Sequence, residues 1–169
     1  MPVIVNTTVI SNFAAAGRLD LLQSLFEILY ISDQVFEEIQ TGLLEGYTFY
    51  QNFYQNVFPL ANDGWLHLTA LSGTAEFETF GSLLKNLHSG EASSIAIAYH
   101  RKLTFLTDDR AARKSGLALG IAISGTLGIL LSTIENNLAS EAEAEKLLQQ
   151  MMQNGYYSPV SSLDEILKN

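Results

Sequence analysis

Short β-branched and aromatic runs alternate with helical patterns along the whole chain, and this alternation limits the fold more than any other feature. Residues 2–5, 27–31, 65–69, 103–106 and 121–124 read as strands. Helical patterns occupy about 9–16, 19–26, 32–39, 74–87, 92–102 and 109–119, and then 127–136 and 140–154. Ser162 followed three residues later by Glu165 has the pattern of a capping box for one last helix. Strands separated by helices imply βαβ units. The expected fold is therefore α/β, with a central, mainly parallel sheet of about five strands and helices on both faces. No repeat, low-complexity tract or linker interrupts the chain, so 1–169 is read as a single domain. Within it, 43–64 is an aromatic-rich helical insertion and 138–169 supplies C-terminal helices.

Composition narrows the chemistry. The 169 residues are 47% apolar and 16% charged, which suits a packed core. With no cysteine, disulfides, thiolate metal sites and cysteine nucleophiles are excluded. No basic stretch followed by a long apolar run opens the sequence, and no segment has the length of a membrane span. Neither a signal peptide nor a membrane helix is expected, and a cytoplasmic location is. The formal charge of −9 argues against a broad basic nucleic-acid surface. Five of the nine Lys and Arg nevertheless cluster as Arg101, Lys102, Arg110, Arg113 and Lys114. They read either as solvated helix ends or as a patch that steers a phosphate backbone.

Four polar positions carry the candidate chemistry. Asn6 and Asp109 follow the first and fourth strand runs, Glu38 lies in the helix after the second, and Glu91 opens the helix that leads into the fourth. Each has an ordinary reading alone: Asn6 and the Asp108-Asp109 pair as caps, Glu91 as a first-turn carboxylate, Glu38 as a solvated residue. Sites in open parallel sheets form beyond the carboxyl ends of the strands, which is where this topology sends Asn6 and Asp109, with Glu91 near the same edge. Three carboxylates converging there would repel one another unless a cation neutralised them, and a divalent metal used for phosphodiester cleavage is the simplest candidate. His67, His88 and His100 lack ligand spacing. Gly125-Thr126-Leu127-Gly128 reads either as a phosphate-holding turn or as a tight strand-to-helix turn.

The chain resembles the PIN domains, a metal-dependent nuclease fold found among bacterial ribonuclease toxins. The resemblance lies in Val3-Ile-Val-Asn-Thr-Thr-Val-Ile-Ser-Asn-Phe, Val35-Phe-Glu-Glu-Ile, Gly90-Glu-Ala-Ser-Ser-Ile-Ala-Ile-Ala, Leu106-Thr-Asp-Asp-Arg and Gly125-Thr-Leu-Gly-Ile-Leu, in that order. It implies a three-layer α/β/α fold with Asn6, Glu38, Glu91 and Asp109 at the catalytic positions. Glu37 replaces Glu38 if the register differs by one, and Asp108 assists as a further ligand. It also implies Mg²⁺ or Mn²⁺ as cofactor and RNA as substrate. Thr7, Thr107, Arg110, Arg113 and Lys114 would contact the phosphate or a metal-bound water. An antitoxin protein and a homodimer or higher oligomer are the implied partners. Asn6 departs from the family pattern, which has Asp there. An amide offers an oxygen but no charge, so the second reading is a PIN fold of weakened or lost activity that serves as a binding or scaffold module.

Between 43 and 58, Tyr47, Tyr50, Tyr54 and Phe58 follow one helical row and Phe49, Phe53 and Val57 another. Aromatics on two faces exceed what one core contact needs, so one row is expected to meet a second subunit or an antitoxin peptide.

Overall fold

The computed structural model describes residues 2–168. In chain order the elements are β1 (Val3–Val5), α1 (Thr7–Ala15), α2 (Leu19–Leu25), β2 (Leu29–Ser32) and α3 (Asp33–Leu44). Two 3-10 turns (Thr48–Tyr50 and Phe53–Asn56) lead into β3 (Val57–Phe58) and β4 (Leu66–Thr69). Then come α4 (Gly73–Leu83), α5 (Ser89–Arg101), β5 (Thr104–Leu106), α6 (Arg110–Ala118), β6 (Ile123–Ser124), α7 (Thr126–Glu135), α8 (Glu141–Gln153) and α9 (Asp164–Leu167).

All six strands run parallel, in the order β3-β4-β2-β1-β5-β6. The expected α/β architecture is thus present, with β3 as an extra edge strand. Alternate strand residues face opposite layers. Val3, Val5, Leu29 and Ile31 join one core, whereas Ile4 and Phe105 join the other, beneath α5. Fully buried side chains such as Ile4, Ile10 and Ile95 each contribute about 1.5–3 kcal/mol of transfer free energy. Chain order reverses between β1 and β5: successive strands spread from β1 toward β3 on one side and from β5 toward β6 on the other. This is a switch point, and the crevice beyond the strand ends opens there.

The aromatic segment is not the helical insertion expected from its spacing. The chain turns at Gly46 (φ +100°) and again at Asn52 (φ +62°), left-handed conformations that a continuous helix excludes. Tyr50, Phe53 and Val57 are buried, while Tyr47, Tyr54 and Phe58 are exposed. The rows inferred from the sequence are therefore mixed. At the C-terminus, α8 carries the Ser140–Glu143 capping box. In the final turn Glu165 accepts from the backbone N–H of Ser161, at 3.0 Å.

Candidate functional site

One hydrogen-bond network at the switch point joins Asn6, Glu38 and Asp109, and Glu91 adjoins it as the chain neighbour of Gly90. Asn6 ends β1, and its backbone N–H continues the ladder to the Leu106 carbonyl at 2.9 Å. Its side chain is 1% exposed. The amide oxygen caps α1 by accepting from the Thr7 N–H at 2.8 Å, and the amide nitrogen donates to the Thr107 hydroxyl at 3.2 Å. The same Thr107 oxygen accepts from the Asp109 N–H at 3.1 Å. The amide thus stitches β1 to the loop after β5.

Glu38 faces this edge from α3, with both carboxylate oxygens engaged. The Thr7 hydroxyl donates to Oε2, and the Gly90 N–H donates to Oε1 at 3.1 Å. Position 90 has no room for a side chain, because a Cβ there would lie 2.4 Å from Glu38 Oε1. Glu37 is exposed. Of the two register alternatives, Glu38 is the one held against the other motifs.

Glu91, next to Gly90, is half-buried and accepts from the His88 N–H at 3.1 Å, closing the first turn of α5. Burial pushes its carboxyl above the usual range, and the negative charges of Asp109 and Glu38 push the same way. Glu91 thus senses the charges of both other acids. Asp109 caps α6 by accepting from the Ala112 N–H at 2.7 Å through Oδ1. Glu91 Oε1 and Asp109 Oδ2 take no hydrogen bond from the described residues.

The donor set fits Mg²⁺ or Mn²⁺ in kind, since every candidate atom is a hard oxygen. Its spacing is wider than expected from the sequence. Among the described residues, no three acidic or histidine side chains stand close enough to share one ion. The Asn6 amide is engaged on both sides, its oxygen with Thr7 N and its nitrogen with Thr107.

Asp108 has a separate position. Its Oδ1 accepts from Thr126 N at 2.8 Å, and its Oδ2 accepts from the Thr126 hydroxyl at 2.5 Å and from Asn12 Nδ2 at 3.1 Å. Tyr156 lies close by, and burial first, then the Asp108 charge, raises the Tyr156 phenol well above its usual range. Asp108 therefore ties α1, α7 and the C-terminal segment together instead of standing beside Asp109 as a ligand. Its carboxylate occupies the N-terminus of α7, so Gly125-Thr126-Leu127-Gly128 is a tight turn capped from within. Tyr156 belongs to no motif read from the sequence, while Asn12 and Thr126 lie in quoted motifs without a role of their own.

The basic residues do not form one patch. Arg101 lies at the far end of α5 from Glu91, roughly 15 Å along the helix, and is paired with Glu76. Arg113 is half-buried and donates to the Thr107 carbonyl at 3.0 Å. Thr107 is fully buried, which corrects its expected contact with phosphate. The Thr7 hydroxyl is committed to Glu38. Arg110 and Lys114 remain exposed, on α6.

Two clefts flank the network. One, of about 870 Å³, runs from Thr7, Glu38 and Ser89 to Tyr50. Burial pushes the Tyr50 phenol up to about 12. The other, of about 410 Å³, is lined by Thr8, Asn12, Asp109, Arg110 and Tyr157.

The model of a family described as PIN domain (DUF3368) matches residues 2–169. A PilT N-terminus domain protein from the hyperthermophilic archaeon Sulfolobus solfataricus P2 is similar in structure, at 12% identity, with a TM-score of 0.47 over 94% of this chain and 99% of that one. No curated protein matches the chain.

Proposed function

This chain belongs to the PIN-domain family, and on that premise we propose that it is a metal-dependent endoribonuclease. The observation that supports this best is the network joining three of the positions, with Glu91 next to it in the chain: Glu38 bound to Thr7 and Gly90, and Asn6 and Asp109 meeting at Thr107. It gathers acids from α3, α5 and the start of α6 at the one edge where a parallel sheet builds sites.

Glu38, Glu91 and Asp109 are the residues that would hold Mg²⁺ or Mn²⁺. A bound ion supplies activation of water and neutralisation of charge on the phosphate. The chain's own groups do the rest. Gly90 and Thr7 fix the Glu38 carboxylate, the α6 cap fixes Asp109, and Arg110 stands exposed beside it to meet a phosphate. Incubating the protein with single-stranded RNA and Mn²⁺ tests the reading. Cleavage that Asp109→Asn abolishes supports it, and no cleavage under any divalent ion rejects it.

The finer reading is the toxin of a bacterial toxin–antitoxin pair, acting in the cytoplasm as a homodimer or higher oligomer and restrained by an antitoxin. No helix among the described residues is long and apolar enough to cross a membrane. Apolar surface supports a protein partner: Leu44 is 89% exposed and Tyr54 52%, side by side at the end of α3. Tyr50, at 4%, belongs to the core instead. A Leu44→Arg, Tyr54→Arg double variant that assembles like the parent in sedimentation would reject this surface as the interface.

Asn6 favours a second reading, a binding module with little or no chemistry. Its buried amide is engaged on both sides and adds no charge to the acid cluster.

A further inference from the structure

Tyr157 is 97% exposed, the highest value among the large hydrophobic side chains of the described residues. The local backbone puts it there. Gly155, at φ +105°, ends α8 with its N–H on the Met152 carbonyl at 3.1 Å, and Tyr156 N–H bonds the Met151 carbonyl at 2.9 Å. The Tyr156 ring is then drawn inward to Asp108, which leaves its neighbour to project outward. The cleft that Tyr157 borders also holds Asp109 and Arg110. An aromatic face, a guanidinium and a candidate catalytic carboxylate therefore share one opening of about 410 Å³.

Charge makes the aromatic face matter. With a net charge of −9 and its cations scattered, the protein cannot hold a strand mainly through phosphate neutralisation. Stacking needs no charge, and each base–aromatic contact contributes appreciable affinity. A duplex keeps its bases paired and stacked, so only an unpaired base can lie flat on such a ring. We propose that Tyr157 is a stacking platform for an unpaired base of single-stranded RNA, positioning the adjoining phosphate toward Arg110 and Asp109. This inference rests on the ribonuclease reading above.

Steady-state cleavage of a short oligoribonucleotide in Mn²⁺ tests it, using the full chain, Tyr157→Ala and Tyr157→Phe. Stacking grips substrate and transition state alike. Tyr157→Ala should therefore raise KM by roughly 5- to 100-fold with kcat little changed, while Tyr157→Phe stays near the parent. An abasic substitution at one position of the oligonucleotide should remove the difference between parent and Tyr157→Ala, which a purely structural effect would not do. Unchanged melting of Tyr157→Ala confirms that the fold is intact. If the parent cleaves and Tyr157→Ala has the parent's KM, the stacking inference fails and the nuclease reading stands. If the parent cleaves no RNA, both fail.

Discussion

The Glu38 carboxylate rests on the backbone N–H of Gly90 at 3.1 Å, and a methyl group at position 90 would lie within 2.4–2.7 Å of its three terminal atoms. Gly90→Ala therefore displaces the flexible end of Glu38, not any backbone. The helix gains up to about 1 kcal/mol in propensity, set against one lost hydrogen bond of similar size. We expect Gly90→Ala to melt within a few degrees of the parent yet to lose Mn²⁺-dependent cleavage as fully as Glu38→Gln. Retained cleavage in the alanine variant would show that the placement of Glu38 is irrelevant to activity.

The Glu76–Arg101 clamp supplies a pH dependence away from the site. Arg101 Nε donates to Glu76 Oε1 at 2.7 Å and its NH2 to Oε2 at 2.8 Å, while Ser72 N–H also donates to Oε2. Arg101 further bonds the Thr69 hydroxyl and the Ala70 carbonyl, joining α4 and α5 to the end of β4. The side chain of Glu76 is 8% exposed and that of Arg101 33%. The hydrogen bonds from Arg101 hold the Glu76 carboxyl below its ordinary value. A depressed acid contributes stability that is fully present above its unfolded pKa and is lost as pH falls through the folded one. The stability gap between parent and Glu76→Gln should therefore be constant from neutral pH down to about 5 and shrink below about 4. Arg101→Met, which strands the buried carboxylate, should cost about 3 kcal/mol at pH 7 by urea denaturation. A gap that widens in acid would contradict the assignment.

Asp108 and Asp109 are adjacent but should respond oppositely to the same change. The hydrogen bonds to the Asp108 carboxylate all come from donors: Thr126 twice and Asn12. An amide there points donors at donors. Asp108→Asn should destabilise by about 1–3 kcal/mol, seen as a lower Tm, while leaving the Mn²⁺ response in place. Asp109→Asn should keep the Tm within a few degrees, since an asparagine still caps α6, and should remove the Mn²⁺ response.

Which of these relations the sequence carried depends on their range. The strand runs and the helices α1, α5 and α6 were legible because buried parallel strands are apolar throughout and the helix starts carry capping residues. The edge strand β3 was not, because two residues make no pattern. Aromatic spacing in 43–58 imitated a helix, and the turns at Gly46 and Asn52 override it through backbone conformation alone. At the site, the motif order pointed to Asn6, Glu38, Glu91 and Asp109 through their positions at strand ends and on helices. The direction of the Asn6 amide and the link from Asp108 to Tyr156 depend on contacts between distant segments, and neither residue type nor spacing encodes these.

Asn6 offers the sharpest test of the two readings of function. Its nitrogen donates to Thr107, whose hydroxyl can rotate and donate instead, so Asn6→Asp keeps a partner and preserves the fold. The new charge is buried beside Glu38, Glu91 and Asp109, and like charges at that range repel. Without metal the variant should lose about 1–3 kcal/mol, a fall in Tm of roughly 3–10 °C. A divalent ion reverses the balance, because the added carboxylate strengthens an all-oxygen site. At a hundredfold excess over Kd, Mn²⁺ stabilises by about 2.7 kcal/mol, so the Tm of Asn6→Asp should rise with Mn²⁺ more steeply than that of the parent, and cleavage should rise with it. A variant whose melting ignores Mn²⁺ would mean that these acids hold no ion, and the binding-module reading would then account for the buried amide.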